Sequence, residues 1–234
     1  MSWLEAFVRR SLWDVVPRDH RDTAPALRRR QLVTLLFVVL GGTVLGFSLR
    51  IEPGSAWFYP ATVLLALVWT VGAFASGPLH LGRIAHDDTH RRPVLSPILI
   101  GAALVVVFVL GALLIRELAF LDPLVRQIRS VLDHADQGSI PLLVAITAIN
   151  GIAEELFFRG AAYAAVPRHP VPVTTVAYTI ATLATGNVML TFAAVLLGIV
   201  VALQRRASGG ILAPVLTHLT WSLSMLFLLP IIFL

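Results

Sequence analysis

The apolar residues of this chain arrive in continuous blocks of about 17 to 22, the length a helix needs to cross the hydrocarbon core of a bilayer. Where lipid surrounds such a block, every backbone N–H and C=O must be satisfied internally, which leaves only helices and closed barrels. Barrel strands alternate apolar and polar residues, and these blocks do not. Composition agrees, since 57% of residues are hydrophobic and 13% charged, against roughly 25% charged in soluble domains. The expected fold is an all-α polytopic membrane protein with about seven transmembrane helices plus interfacial amphipathic helices.

The segments fall at about 31–49, 56–76, 94–115, 140–158, 171–185, 188–204 and 211–229. The one at 171–185 is short and carries Thr174, Thr175, Tyr178, Thr179, Thr182 and Thr185. Neighbours must shield it, or it must line a wet cavity. Residues 1–30 hold Trp3, Phe7, Leu12 and Trp13 with Arg9, Arg10 and Asp14 among them. They read as a cytoplasmic or interfacial amphipathic segment rather than a secretory signal. In 116–139, Leu118, Leu121, Leu124, Val125, Ile128, Val131 and Leu132 recur at helical spacing, so an interfacial helix is expected there. The organisation that follows is 1–30 as N-terminal segment, 31–115 as three scaffold helices, 116–139 as outer loop helix and 140–234 as the core.

Charge then sets orientation. All 18 basic residues are arginines, and most flank apolar blocks: Arg28, Arg29 and Arg30, then Arg83, Arg91 and Arg92, then Arg159 and Arg168, then Arg205 and Arg206. These fall on one side if the N-terminus is cytoplasmic, which puts the C-terminus outside a multi-pass cell membrane. The short loops suit a bacterial plasma membrane. The net positive charge is accounted for by the bilayer as partner, with no nucleic-acid motif to accompany it. Without cysteine, disulfides and thiol chemistry are excluded.

The residues that invite a chemical reading are Glu154 and Glu155, the acidic pair in the apolar run Ile140 to Phe158. A carboxylate in hydrocarbon is costly and usually serves a polar cavity. On a helix, Glu155 and Arg159 are i,i+4 neighbours and can pair, while Glu154 points about 100° away. Asn150 stands one turn before Glu154 on the same face. A carboxylate stripped of solvent can act as general base toward water; the plain structural reading is a Glu–Arg pair that marks a helix end. In the last segment, His218 and Ser222 share a face at i,i+4, and His218 could bind metal or hold an oxyanion. The cluster His86-Asp87-Asp88-Thr89-His90 has ligand types suited to a divalent ion but reads better as a solvated loop of mixed charge.

Glu154-Glu155-Leu-Phe-Phe-Arg159 resembles the EExxxR motif of the CAAX prenyl protease and bacteriocin-processing family (CPBP, also called Abi). The resemblance runs over roughly 140–230, including the stretch from Leu196 through Pro214 to His218. It implies an intramembrane endopeptidase that cleaves a membrane-associated peptide or protein. Glu154 would be the general base, Glu155 and Arg159 the supporting pair, and His218 the histidine of the third motif. The family has been described with a divalent metal such as zinc and with none. Two departures stand out. The second motif places a histidine four residues after a phenylalanine, and the stretch taken as equivalent, Ile180 to Asn187, has alanine or threonine there, with Asn187 or Thr185 as substitutes. The third motif ends in asparagine where this chain has Ser222. The alternative is therefore a catalytically silent member that serves as scaffold or accessory subunit of a membrane complex. A transporter has little support, since no inverted repeat is found.

Overall fold

The computed structural model describes residues 2–16, 22–79, 84–86, 89–91, 94–136 and 139–234. The chain opens with α1 (Trp3–Val8), capped by Ser2 and Glu5 and extended by a π turn over Arg9–Trp13. Then come α2 (Ala24–Ser48) and α3 (Phe58–Ser76). A two-stranded antiparallel ladder follows, β1 (Ile84–His86) with β2 (Thr89–Arg91), a small exception to the all-α expectation. The side chains of the His86 to His90 cluster lie outside the described residues. After it run α4 (Leu95–Glu117), α5 (Asp122–Asp136) and α6 (Ile140–Ala165). The last three helices are α7 (Pro170–Leu183), α8 (Val188–Ser208) and α9 (Leu212–Phe233).

Among the described residues, six helices are long and apolar enough to cross a membrane: α2, α3, α4, α6, α8 and α9. The seventh expected span, α7, has 14 residues and is about 21 Å long, short of a ~30 Å hydrocarbon core. It packs beside α2. Gln31 Nε2 donates to Ala165 O just before α7 at 3.1 Å, and Gly46 lies against Ala184 just after it. The absent side chain at Gly46 lets the two backbones approach, since a Cβ there would collide with Ala184 O. Its threonines need no wet cavity. Thr174, Thr175, Thr179 and Thr182 each donate to a carbonyl four residues back in the same helix, a bond that leaves no polar group facing lipid.

The two ends of the bundle are distinct. At one end Arg206 donates to Leu12 O and accepts from Val16 N, so the N-terminal segment packs across the end of α8. Trp3, Leu4, Trp13 and Val15 of that segment stay exposed. At the opposite end Arg129 of α5 donates to Phe233 O at 3.0 Å. The N-terminal segment and the C-terminus thus lie at opposite ends of the bundle.

The helix α5 follows the spacing of its apolar residues, burying Val125, Ile128 and Leu132 against Ala112 and Phe233. His134 ties it to the α2–α3 loop. Its Nδ1 lies 2.9 Å from Ser130 O and its Nε2 2.8 Å from Ile51 O, over the ring of Phe58. His134→Ala is expected to cost about 1–3 kcal/mol and to lower the melting temperature in detergent by several degrees. An unchanged melting curve would remove this tie from the account.

Candidate active site

The glutamate pair sits where α6 stops being regular. After Glu155 the helix widens into a π turn over Leu156–Ala162, a local irregularity frequent at functional sites. The turn is built around Phe157 and Phe158, both fully buried and packed on Trp69 of α3. The scaffold helices therefore hold the motif segment in place, a role that their sequence did not announce.

Glu155 and Arg159 are both 0% exposed. Arg159 Nη1 donates to Glu155 Oε1 at 3.1 Å, and its Nη2 donates to Gly198 O of α8 at 3.2 Å. The expected i,i+4 pair is present. His218 of α9 brings its Nδ1 to the same Glu155 Oε1 at 2.7 Å, while its ring faces Gly151, where a Cβ would make ordinary van der Waals contact with it. The histidine thus reaches the second glutamate of the pair. A carboxylate on Nδ1 fixes the ring and leaves Nε2 as its other polar atom. Arg159 O in turn accepts from Arg205 Nε at 2.7 Å, so one arginine joins α6 to α8 through side chain and backbone alike.

Glu154 points elsewhere, as helix geometry requires. It is half-buried, and its Oε2 accepts from the phenol of Tyr178 on α7 at 2.6 Å. The guanidinium of Arg159 lies over the same phenol ring, 4.7 Å from its centroid. Tyr178 was the residue that sequence reasoning missed. Asn187 and Thr185, the expected substitutes for the second-motif histidine, make their hydrogen bonds elsewhere. Asn187 caps α8, with Oδ1 accepting from Leu190 N and Nδ2 donating to Gln127 O of α5. Thr185 Oγ1 accepts from Asn187 N in the turn before it. Both lie at the end of the bundle that carries α5, away from the glutamates. A lone ring hydroxyl in a helix whose other hydroxyls all bond their own backbone was the available signal.

Asn150 Nδ2 donates to Ile146 O of its own helix at 2.9 Å. Its Oδ1, Glu155 Oε2, Ser222 Oγ and the indole nitrogen of Trp221 are buried without a hydrogen-bond partner. Buried polar atoms are seldom left so. Here they belong to α6 and α9, the two helices that Glu155 and His218 join.

The residues do not make a metal centre. Among the described residues no group of three or more histidine, aspartate or glutamate side chains is arranged to hold a metal ion. Glu154 has a phenol as its partner, and Glu155 Oε1 is already shared by Arg159 and His218. A zinc site needs three or four nitrogen, oxygen or sulfur ligands on one point.

Residues 136–224 match the family model of the type II CAAX prenyl endopeptidase Rce1-like proteins. No curated protein and no solved structure matches the chain. The matched segment holds the glutamates, Arg159, Tyr178, His218 and Ser222. By that match, the part of the chain that builds this site is similar to the CPBP family of CAAX-protease-like membrane proteins.

Proposed function

We propose that the chain is an intramembrane endopeptidase in which Glu154 activates a water against a peptide bond of a membrane-associated substrate. The observation that carries this reading is the division of labour within the pair. Glu155 is sealed and neutralised by Arg159, whereas Glu154 is half-buried with one oxygen bonded to Tyr178. Glu154 would take a proton from water as the water oxygen bonds to the carbonyl carbon, then return it to the nitrogen as the C–N bond breaks. The negative oxygen of the tetrahedral intermediate would be met by His218 Nε2 and Ser222 Oγ, one turn apart on α9.

Trp221 supports a place for the substrate. It stands in the wall of an apolar cavity of about 240 Å³, with Phe108, Phe192 and Leu196, and its ring centroid is 6.3 Å from that of His218. An apolar side chain or lipid tail seated there would lie beside the imidazole. The arginine-rich end of the bundle would face the cytoplasm.

A catalytically silent scaffold is the second reading, favoured by the absence of a histidine from α7. The two part in a direct assay. Protein reconstituted in liposomes should cleave membrane-anchored peptides, and His218→Ala should lower that rate by about 10²–10³-fold, as loss of an oxyanion donor does. Equal rates for the variant and the native chain would remove His218 from the mechanism. No cleavage by either would favour the scaffold.

A further inference from the structure

We propose that Tyr178 is the positioning residue of this site, the donor that fixes the Glu154 carboxylate for its task. The inference rests on the peptidase reading above and gives it a component that the motif pattern does not supply.

A glutamate side chain in a cavity has three torsions, and a free carboxylate would sample several of them. The bond of 2.6 Å from the phenol to Glu154 Oε2 selects one, and a short bond to a charged acceptor is the strong kind. It also divides the carboxylate. With Oε2 occupied, Oε1 is the oxygen left to face a water. The phenol is itself held: Tyr178 is buried, Arg159 lies over its ring and Phe158 packs 4.9 Å away, centroid to centroid. The same Arg159 grips Glu155, so the two glutamates are oriented through one guanidinium. A tyrosine kept only for packing would have no reason to aim its hydroxyl at the one half-buried acid of α6.

The test uses the full chain in liposomes with a cleavable membrane-anchored peptide. Tyr178→Phe keeps the ring and its contacts with Arg159 and Phe158 and removes only the donor. It should lower kcat about 10- to 100-fold with KM unchanged. The double variant Tyr178→Phe/Glu154→Gln should be no slower than Glu154→Gln alone, because Tyr178 acts through that carboxylate. Thr179→Val, which loses a hydroxyl bonded within α7, should cleave at the native rate. Native kcat in Tyr178→Phe, a multiplicative loss in the double variant, or an equal loss in Thr179→Val would each overturn the proposal while leaving Glu154 as base. No cleavage by the native chain would instead sink the peptidase reading, and this role with it.

Discussion

Glu154→Gln is expected to slow peptide cleavage by about 10²- to 10⁴-fold, the range of a lost general base, and to leave the protein folded. The amide has the shape of the acid and can still accept from Tyr178, but it cannot take a proton from water. Glu154 has no ion pair among the described residues, so its replacement strands no opposite charge. Removing a carboxylate from a membrane-embedded position also relieves a desolvation cost. Stability in detergent should therefore stay the same or rise. The neighbouring change behaves differently. Glu155→Gln leaves Arg159 buried with its charge uncompensated, so any loss of activity there should come with a lower melting temperature. Measuring rate and melting curve for both variants separates the chemical acid from the structural one. Equal destabilisation by the two would show that the pair had been divided wrongly.

The second large effect falls on the fold. Arg159→Leu is expected to destabilise the protein by about 3–5 kcal/mol, the cost of breaking a buried ion pair from one side. Glu155 would keep His218 but lose its cation, Gly198 O would lose its donor, and the phenol of Tyr178 would lose the group that covers its face. Both partners are 0% exposed, so water cannot step in. Changing both at once, Glu155→Leu with Arg159→Leu, removes the charges together and should be more stable than Arg159→Leu alone. Unfolding in detergent followed by circular dichroism checks the order of the three proteins. A double variant no better than the sum of its parts would mean that the pair is not the unit described here.

Much of this was legible in the sequence, for reasons that differ from element to element. The long spans follow from block length, and α5 from its apolar spacing. The bond between Glu155 and Arg159 follows from the four-residue offset, and it persists although a π turn begins just after Glu155. What was not legible depends on how helices are turned toward one another. Nothing local to α7 says which of its residues faces Glu154, because that is set by its close contact with α2 at Gly42 and Gly46. Asn187, expected as a substitute for the second-motif histidine, is instead the cap of α8, a common place for an asparagine just before a helix. His218 was expected beside a glutamate, but its choice of Glu155 over Glu154 is a matter of the rotation of α9 against α6.

The most direct measurement is the fate of the attacking water. Native protein and Glu154→Gln would each be incubated in liposomes with a membrane-anchored peptide in H₂¹⁸O, and the fragments weighed by mass spectrometry. If Glu154 aims a water at the peptide bond, native protein yields a new C-terminal carboxylate carrying one heavy oxygen, and the variant yields almost none. Labelled fragments in equal amount from both proteins, or no new carboxylate from the native chain, would contradict it.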